Sequence, residues 1–223
     1  MRLFLGVVGI LVIAVSGNAA PVIFEMGTSA RAVALGGAFS ALADDESALF
    51  YNPAGLAQLR TVILAMFYQR AFEAVHHVAL TGAMRSWGLQ LIQIDTGPIE
   101  STNEFGNPSG ELTHYASHAG LLGVAVGIEN FSLGLRGKFS SDDRETYWGL
   151  DVGALARLRF VRLGIVAENL GSTEISVRVG AAFVAPFAPR MALTVALDVW
   201  DIFNHPEMHL GLEASINGVQ IRA

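Results

Sequence analysis

Apolar residues recur at every second position along most of the chain from about residue 61 onward. In residues 131–139, which read FSLGLRGKF, alternate positions carry Phe, Leu, Leu, Gly and Phe, and the positions between them carry Ser, Gly, Arg and Lys. Because successive side chains of a β-strand point to opposite faces, this order predicts a strand with one apolar face. The repetition of the pattern predicts an all-β protein.

The alternation predicts roughly ten to twelve strands. Turn residues separate most of them, and Asn217-Gly218 is the strongest hairpin signal in the chain. Residues 96–111, which include Pro98, Asn107-Pro108 and Gly110, are expected to form a long exposed loop. The clearest strands are expected at 131–139, 148–158, 161–168, 175–183, 191–198 and 208–213, with weaker matches at 61–72, 76–84, 86–95 and 117–128 and a last segment near 219–223.

The residues opposite the apolar face indicate the surroundings of the sheet. They are Gly, Ala, Ser and scattered ions, whereas the outer face of a soluble β-sandwich usually carries Lys, Glu and Thr. Charged residues make up 15% of the chain, against roughly 25% in ordinary soluble domains. Small residues with sparse charges suit a lumen, and a continuous apolar exterior suits lipid. We therefore predict a transmembrane antiparallel β-barrel over residues 61–223, with a soluble lipocalin-like barrel as the alternative.

The first 19 residues have the organisation of a signal peptide. Arg2 precedes an apolar run of about a dozen residues, which is short of the roughly 20 that a membrane-spanning helix needs. Small residues follow the run, and we expect cleavage after Ala19 or Ala20. Signal-bearing barrels of this kind are typical of the outer membrane of diderm bacteria, which is the localisation that we predict.

Charge and composition exclude several classes of function. The net charge of −6 disfavours nucleic acid as a partner, and the absence of Cys excludes disulfides and thiolate metal sites. Neighbouring His76 and His77 would point to opposite faces of a strand, so we expect loop and lumen histidines rather than a metal site. No catalytic motif is present, so the sequence predicts neither an enzyme nor a bound cofactor.

Residues 20–60 break the two-residue period and carry a distinct set of short motifs. Gly27-Thr28-Ser29-Ala30-Arg31-Ala32 is followed by Gly36-Gly37-Ala38-Phe39, by the pair Asp44-Asp45, and by residues 48–56, which read ALFYNPAGL. Asp45 is expected to cap a turn that begins at Glu46, and Pro53 is expected to end it. From residue 27 to residue 56 the chain resembles the PorV/PorQ branch of the FadL-like outer-membrane proteins.

The resemblance implies an N-terminal plug, called the hatch, inside a barrel of about fourteen strands. It places the hatch in residues 20–60 and its central motif at Asn52, Pro53, Ala54 and Gly55. The residues that it implies for fixing the hatch to the wall are Arg31, Gly36, Gly37, Asp44 and Asp45. This chain departs from the family in having fewer predicted strands and in lacking an aromatic residue in its last segment.

Charged residues on the small-residue face are predicted to point into the lumen. They are expected chiefly to pair with one another and to support the hatch, because an unpaired charge in a narrow lumen is costly; a lining for permeation is the alternative. These residues are Arg136, Lys138, Asp151, Arg157, Arg162, Glu168, Arg178, Asp198 and Glu213. An aromatic girdle at the membrane interfaces is predicted from Trp87, Trp148, Trp200, Tyr68 and Tyr147.

The resemblance implies two competing functions. The first is transport of hydrophobic small molecules across the outer membrane, through an apolar pocket between hatch and wall. The second is PorV-like docking of exported protein cargo for a secretion system, and a truncated remnant without function is a third hypothesis. An apolar lining beside Asn52, Pro53 and Ala54 would favour transport, whereas a blocked lumen with long ordered loops would favour docking. Outer-membrane lipid is a partner in each case, and the sequence leaves the oligomeric state open.

Overall fold

A computed structural model describes residues 20–71, 73–103, 105–172 and 174–223, and the predicted signal peptide lies outside them. The described chain is all-β apart from short helical turns in the hatch. The strands are β1 (Ile63–Ala71), β2 (Val75–Met84), β3 (Trp87–Asp95), β4 (Ile99–Thr102), β5 (Pro108–Thr113), β6 (Ala116–Ile128), β7 (Phe131–Asp142), β8 (Thr146–Arg157), β9 (Val161–Glu168), β10 (Ser176–Ala188), β11 (Met191–Trp200), β12 (Glu207–Ile216) and β13 (Val219–Arg222).

Eleven strands form one antiparallel sheet in the order β1-β2-β3-β6-β7-β8-β9-β10-β11-β12-β13. Each strand pairs with its neighbour along the chain, apart from the step from β3 to β6, which is interrupted by a separate hairpin of β4 and β5. The expected loop at 96–111 is therefore wrong in part, because its middle forms two short exposed strands. Within the described residues, β1 pairs only with β2 and β13 only with β12.

The predicted division into two faces is confirmed. In β7, Phe131 and Leu133 are exposed, whereas Ser132 and Arg136, at the intervening positions, are buried. The large apolar side chains of the outer face are strongly exposed, as the 83% exposure of Leu64 and the 78% exposure of Ile128 illustrate. Water-soluble sheets do not present such a surface without a cover.

The predicted hairpin at Asn217-Gly218 is also confirmed. Ile216 pairs with Val219, and both central residues have positive φ, 53° at Asn217 and 89° at Gly218. These are the angles that a type I′ turn requires, and Asn-Gly is the dipeptide that adopts them most easily.

The hatch packs against the concave face of the sheet. It contains helices α1 (Ala30–Ala34) and α2 (Ala48–Tyr51) and two 3₁₀ turns, Val22–Phe24 and Pro53–Gln58. The Asp45 carboxylate accepts a hydrogen bond from the Ser47 backbone N–H at 3.0 Å before α2, and α2 ends just before Pro53, as the sequence predicts. The largest fully buried side chains of the hatch include Leu35, Phe39, Leu42, Leu49 and Tyr51. The core of the protein thus lies between the hatch and the sheet.

Glycines on the inward face of the sheet let the hatch backbone approach the wall. A Cβ atom on Gly134 would collide with the backbone of Pro53 and Ala54, and one on Gly164 would collide with the backbone of Ser40. We call this set the glycine belt: Gly88, Gly123, Gly134, Gly153, Gly164, Gly180 and Gly211. Six of its members form three cross-strand pairs, Gly88 with Gly123, Gly134 with Gly153 and Gly164 with Gly180.

The two ends of the sheet differ in the length of their connections. Residues 85–86, 129–130, 158–160, 189–190 and 217–218 join strands at what we call the turn end. Residues 72–74, 96–115, 143–145, 169–175 and 201–206 join them at what we call the loop end. Among the described residues, no helix has the length and apolar character that crossing a membrane would require.

Of the five aromatic residues predicted to form a girdle on the outer face, three are exposed on that face and two point inward. Trp87, Trp148 and Tyr68 are exposed on the outer face. Tyr147 points inward, because it precedes the outward Trp148 and adjacent strand residues face opposite ways; its hydroxyl donates to Asn169 Oδ1 at 3.0 Å. Trp200 also faces inward, since it lies two residues after the buried Asp198.

The close packing at the glycine belt predicts that replacing one of its glycines by alanine will greatly reduce the stability of the fold. Gly134→Ala should destabilise the chain by about 3 kcal/mol, because the methyl group meets backbone atoms that cannot rotate away. Gly120→Ala is the matched control, since its Cβ would meet only Leu91 Cδ2 at 3.9 Å. The measurement is the urea midpoint of the detergent-solubilised chain, followed by Trp fluorescence. Equal midpoints for the two variants would contradict close packing of hatch and wall.

Candidate functional site

Asn52 lies at the centre of the contact between hatch and wall and is fully buried. Its Oδ1 accepts from the Ala54 N–H at 3.1 Å, and its Nδ2 donates to the carbonyl oxygens of Ser40 at 2.9 Å and Ala154 at 3.1 Å. One amide therefore fixes its own turn, a second hatch turn and strand β8. Pro53, which follows, is buried against the glycine belt.

Arg31 of α1 joins the two predicted hatch carboxylates to the far edge of the sheet. Its Nη1 lies 2.5 Å from Asp44 Oδ1 and 3.1 Å from Asp45 Oδ2. Its Nε and Nη2 donate to the two carboxylate oxygens of Glu213 at 2.9 and 3.1 Å, a bidentate pair. Arg162 and Arg222 complete the set, at 2.7 Å from Asp44 Oδ2 and 2.6 Å from Glu213 Oε2. We call it the hatch cluster: Arg31, Asp44, Asp45, Arg162, Glu213 and Arg222.

The hatch cluster keeps the Asp44 carboxylate ionised. Burial alone would raise its pKa, but the charges and hydrogen bonds of Arg31 and Arg162 outweigh burial and hold the pKa below its usual range. The pKa of Arg31 is raised for the corresponding reason, because its carboxylate partners outweigh the effect of burial. Asp44 and Arg31 are therefore both charged near neutral pH.

A second group of charges lies deeper, on the wall itself. Arg136 Nε donates to Asp151 Oδ2 at 2.6 Å, and its Nη2 lies 2.8 Å from Glu168 Oε1. Lys138 Nζ is 3.1 Å from Asp151 Oδ1, and Arg178 Nη2 is 3.1 Å from Glu168 Oε2. We call it the wall cluster: Arg136, Lys138, Asp151, Glu168 and Arg178.

The wall cluster also binds the hatch directly. Arg136 Nη1 donates to the carbonyl oxygens of Leu49, at 3.0 Å, and of Phe50, at the end of α2. The Lys138 ammonium lies 5.0 Å from the centre of the Phe24 ring. Because unpaired charges in such a dry environment are costly, these contacts explain how five ionisable side chains are buried together.

Asp198 and the paired glycines fix the hatch at its other side. The Oδ2 atom of Asp198 accepts from the backbone N–H groups of Phe39 and Ser40, at 3.1 and 2.8 Å. Gly36 and Gly37 have positive φ, 61° and 85°, and a Cβ on Gly36 would strike the Leu210 carbonyl. The Gly36 carbonyl oxygen is 2.7 Å from His209 Nδ1.

The predicted site residues thus divide into separate groups rather than one centre. Gly55 packs on Ala43 within the hatch, and the buried Ala54 packs on Gly134. Arg157 stands apart from both clusters, since its Nη1 donates to Gln58 Oε1 at 3.4 Å and its Nη2 to the Glu129 carbonyl at 3.0 Å. All of the predicted lumen-facing charges lie on the hatch side of the sheet, and their part in function stays a prediction.

One cavity of about 280 Å³ separates the hatch from the wall. Its hatch side includes Thr28, Ala30 and Arg31, and its wall side includes Phe67 of β1 and Arg222 of β13. The sheet therefore curves around the hatch until its two edge strands border the same space. Beside Asn52 and Pro53, by contrast, hatch and wall are in direct contact.

Several residues of this interface were not predicted. Tyr51 is buried between hatch and wall, where burial raises its pKa to about 12 and keeps the phenol neutral. Gln90 Nε2 donates to the hydroxyls of Thr28, at 3.1 Å, and Thr81, at 2.7 Å, and so joins the hatch to β3 and β2. Inward position in a strand was the available signal for Gln90, whereas Tyr51 belongs to the ALFYNPAGL motif, from which no separate role was predicted for it.

The described residues contain no group of three His, Asp or Glu side chains placed to hold a metal ion. The buried charges instead pair with each other and with hatch backbone groups. What this arrangement does chemically is to hold residues 20–60 against the sheet.

Comparison with known proteins identifies the family. The sequence model of a family described as "Uncharacterised protein family (UPF0164)" matches residues 15–222. The chain belongs to the UPF0164 family. A UPF0164 protein of Treponema pallidum (strain Nichols) is 31% identical to it over 177 residues. The match covers 75% of this chain and 43% of the relative, so the chain spans less than half of the relative's length.

The hatch cluster predicts a defined loss of stability in acid. Because the pKa of Asp44 is lower in the folded chain than in the unfolded chain, its ionised form stabilises the fold above a pH of about 4, and this contribution is lost as the pH falls below that value. The melting temperature of Asp44→Asn should be below that of the parent chain at pH 7, and the difference should shrink below pH 4.

The exposed Asp143→Asn is the control, and its melting temperature should follow that of the parent at each pH. A constant difference between Asp44→Asn and the parent down to pH 2 would show that Asp44 contributes through packing rather than charge.

Proposed function

We propose that the chain is an outer-membrane protein whose sheet spans the membrane as the wall of a barrel and which passes hydrophobic small molecules beside the hatch. The observation that carries this proposal is the combination of an apolar outer face with an interior of paired charges. A lipid-facing wall has this polarity, which is the reverse of that in a soluble protein. The resemblance to FadL-like proteins supports the same conclusion.

The connections of the sheet support insertion in an outer membrane. Bacterial outer-membrane barrels have short turns on the periplasmic side and longer loops outside the cell. The turn end would therefore face the periplasm, and the loop end would face the exterior. The ten main strands from β1 to β12 have eight to thirteen residues, which is sufficient for a tilted crossing.

The direction of the edge strands constrains how the wall closes. In an antiparallel sheet of eleven strands, β1 and β13 run in the same direction. Direct pairing of these edges would be parallel, whereas antiparallel closure requires an odd number of further strands. The fourteen strands implied by the resemblance would add three, which satisfies this rule and the even total of bacterial barrels.

Passage of small molecules is assigned to the cavity between hatch and wall. Its volume of about 280 Å³ is just below the usual range of small-molecule sites. Phe67 and Ala65 give it apolar surface, and the ionisable side chains of Arg31, Asp45, Glu46 and Arg222 also line it. The contact at Asn52 blocks any route past the central hatch motif. We therefore place the route at the gap between β1 and β13, where hatch and wall are separated.

Docking of exported cargo is the second candidate, and two features favour it: hatch and wall are in direct contact beside Asn52 and Pro53, and the loop end carries an ordered extension. The β4–β5 hairpin is exposed along nearly its whole length and projects from the loop end. An ordered extension on this side would suit a binding surface for a protein at the outside of the membrane.

The first experiment is gel migration of the full chain from isolated outer membranes, with and without boiling. A closed, detergent-resistant barrel should migrate differently before boiling, because it remains folded in the denaturing detergent. Identical migration, with the chain recovered from the periplasm or degraded, would overturn the membrane proposal and favour the remnant hypothesis.

The transport proposal predicts that filling the cavity blocks uptake. Ala30→Trp places a large side chain in the cavity from α1 and should reduce entry of the apolar fluorophore N-phenylnaphthylamine to the rate of cells lacking the chain. Ala34→Trp is the control, because Ala34 is exposed on the same helix but does not line the cavity. Equal uptake by both variants and the parent would reject this route and leave docking as the better hypothesis.

A further inference from the structure

Exposed charges are distributed unequally between the two ends of the sheet. The turn end carries four exposed arginines, Arg60, Arg85, Arg159 and Arg190, and its acidic side chain among the described residues is Glu129. The loop end is predominantly acidic, with the exposed Glu73, Glu100, Glu111, Asp143, Glu145, Glu174 and Glu207 and the half-buried Asp95, Asp142 and Asp201 against the exposed Arg70 and Arg144. The turn end is therefore suited to an anionic surface.

An apolar groove of about 400 Å³ lies on the outer face beside two of these arginines. Its floor includes Gly82, where a side chain is missing, and its sides include Leu64, Leu80, Trp87 and Leu89. It occupies the half of β1, β2 and β3 nearest the turn end. A groove with these walls binds hydrocarbon rather than a polar ligand.

Arg60 and Arg85 adjoin residues of the groove in the chain, at the turn end. Arg60 precedes the groove residue Val62 by two positions, and Arg85 lies in the turn between the groove residues Met84 and Trp87. Both arginines are exposed, and neither makes an ion pair or a side-chain hydrogen bond with another described residue. Their guanidinium groups are therefore available to an external anion, and phosphate is a preferred partner of arginine.

We propose that this surface binds one anionic phospholipid, with an acyl chain in the groove and the phosphate at Arg60 and Arg85. The inference rests on the proposed insertion in a membrane. The groove is continuous with the lipid-facing surface, and its charged border lies where the headgroups of the adjoining leaflet would be. An acidic protein could pair with the arginines but would leave the apolar groove uncovered. A phospholipid accounts for both the unpaired arginines and the groove.

Fluorescence of Trp87 provides the test, because this side chain lines the groove. The chain has three tryptophans; Trp200 faces inward, and Trp148→Phe leaves Trp87 as the lipid-facing reporter. The folded full-length protein in detergent is titrated with brominated phosphatidylglycerol, whose bromine atoms quench nearby tryptophan, and with brominated phosphatidylcholine. We expect half-maximal quenching at a lower concentration of the anionic lipid.

Arg60→Gln combined with Arg85→Gln should raise the half-maximal phosphatidylglycerol concentration about 30-fold, about fivefold for each arginine. Arg70→Gln combined with Arg144→Gln, which removes two charges at the loop end, should leave that concentration unchanged. Gly82→Leu should weaken the binding of both lipids, because the new side chain would fill the groove. The Cβ atom itself fits, since it would lie 3.4 Å from Leu64 Cδ2. Equal quenching by the two lipids, or equal effects of the loop-end and turn-end arginines, would overturn the site.

A Trp87→Phe variant separates this inference from the proposed function. It retains Trp148, which is half exposed on the outer face away from the groove. Quenching of Trp148 by both lipids without the expected preference at Trp87 would reject the phospholipid site alone. Absence of quenching at both tryptophans would reject the lipid-facing wall and the site together.

Discussion

The hatch depends on the wall for the hydrogen bonds that its own secondary structure does not provide. Its two helices are only four and five residues long, so many of its buried N–H and C=O groups need partners elsewhere. Arg136 donates to the carbonyl oxygens in α2. Asp198 accepts from the backbone N–H groups of Phe39 and Ser40, which precede α2 in the chain. The buried charges of the wall are explained by this requirement before any role in permeation is invoked.

Charge balance explains why so many ions can be buried together. The hatch cluster contains three arginines and three carboxylates, so its formal charges cancel. The wall cluster contains three cations and two carboxylates, and the excess positive charge of Arg136 is directed at carbonyl oxygens. Removal of one member would leave a buried charge without compensation, which is more costly than the loss of the whole pair.

The sequence predicts which face of a strand a residue occupies, because this depends on local order. It does not predict which residues from distant segments come into contact. Period two assigns Arg136 and Asp151 to the inward face, but only the register of β7 against β8 places them opposite each other. Arg31 and Glu213 are separated by 182 residues, and no spacing rule connects them. The error at Tyr147 was avoidable, because its neighbour Trp148 already occupied the outer face.

The size of the inward-facing residues explains both the close contact at the glycine belt and the cavity beside β1. Where the inward residue is Gly, as at Gly134 and Gly153, the hatch backbone contacts the wall and cannot move without losing that contact. Along β1 the inward positions carry larger side chains such as Phe67, and there the hatch is held away from the wall. Residue size on one face of the sheet therefore determines where the hatch contacts the sheet directly and where a cavity remains. The Arg31 pairs that border this space hold that side of the hatch by charge rather than by backbone packing.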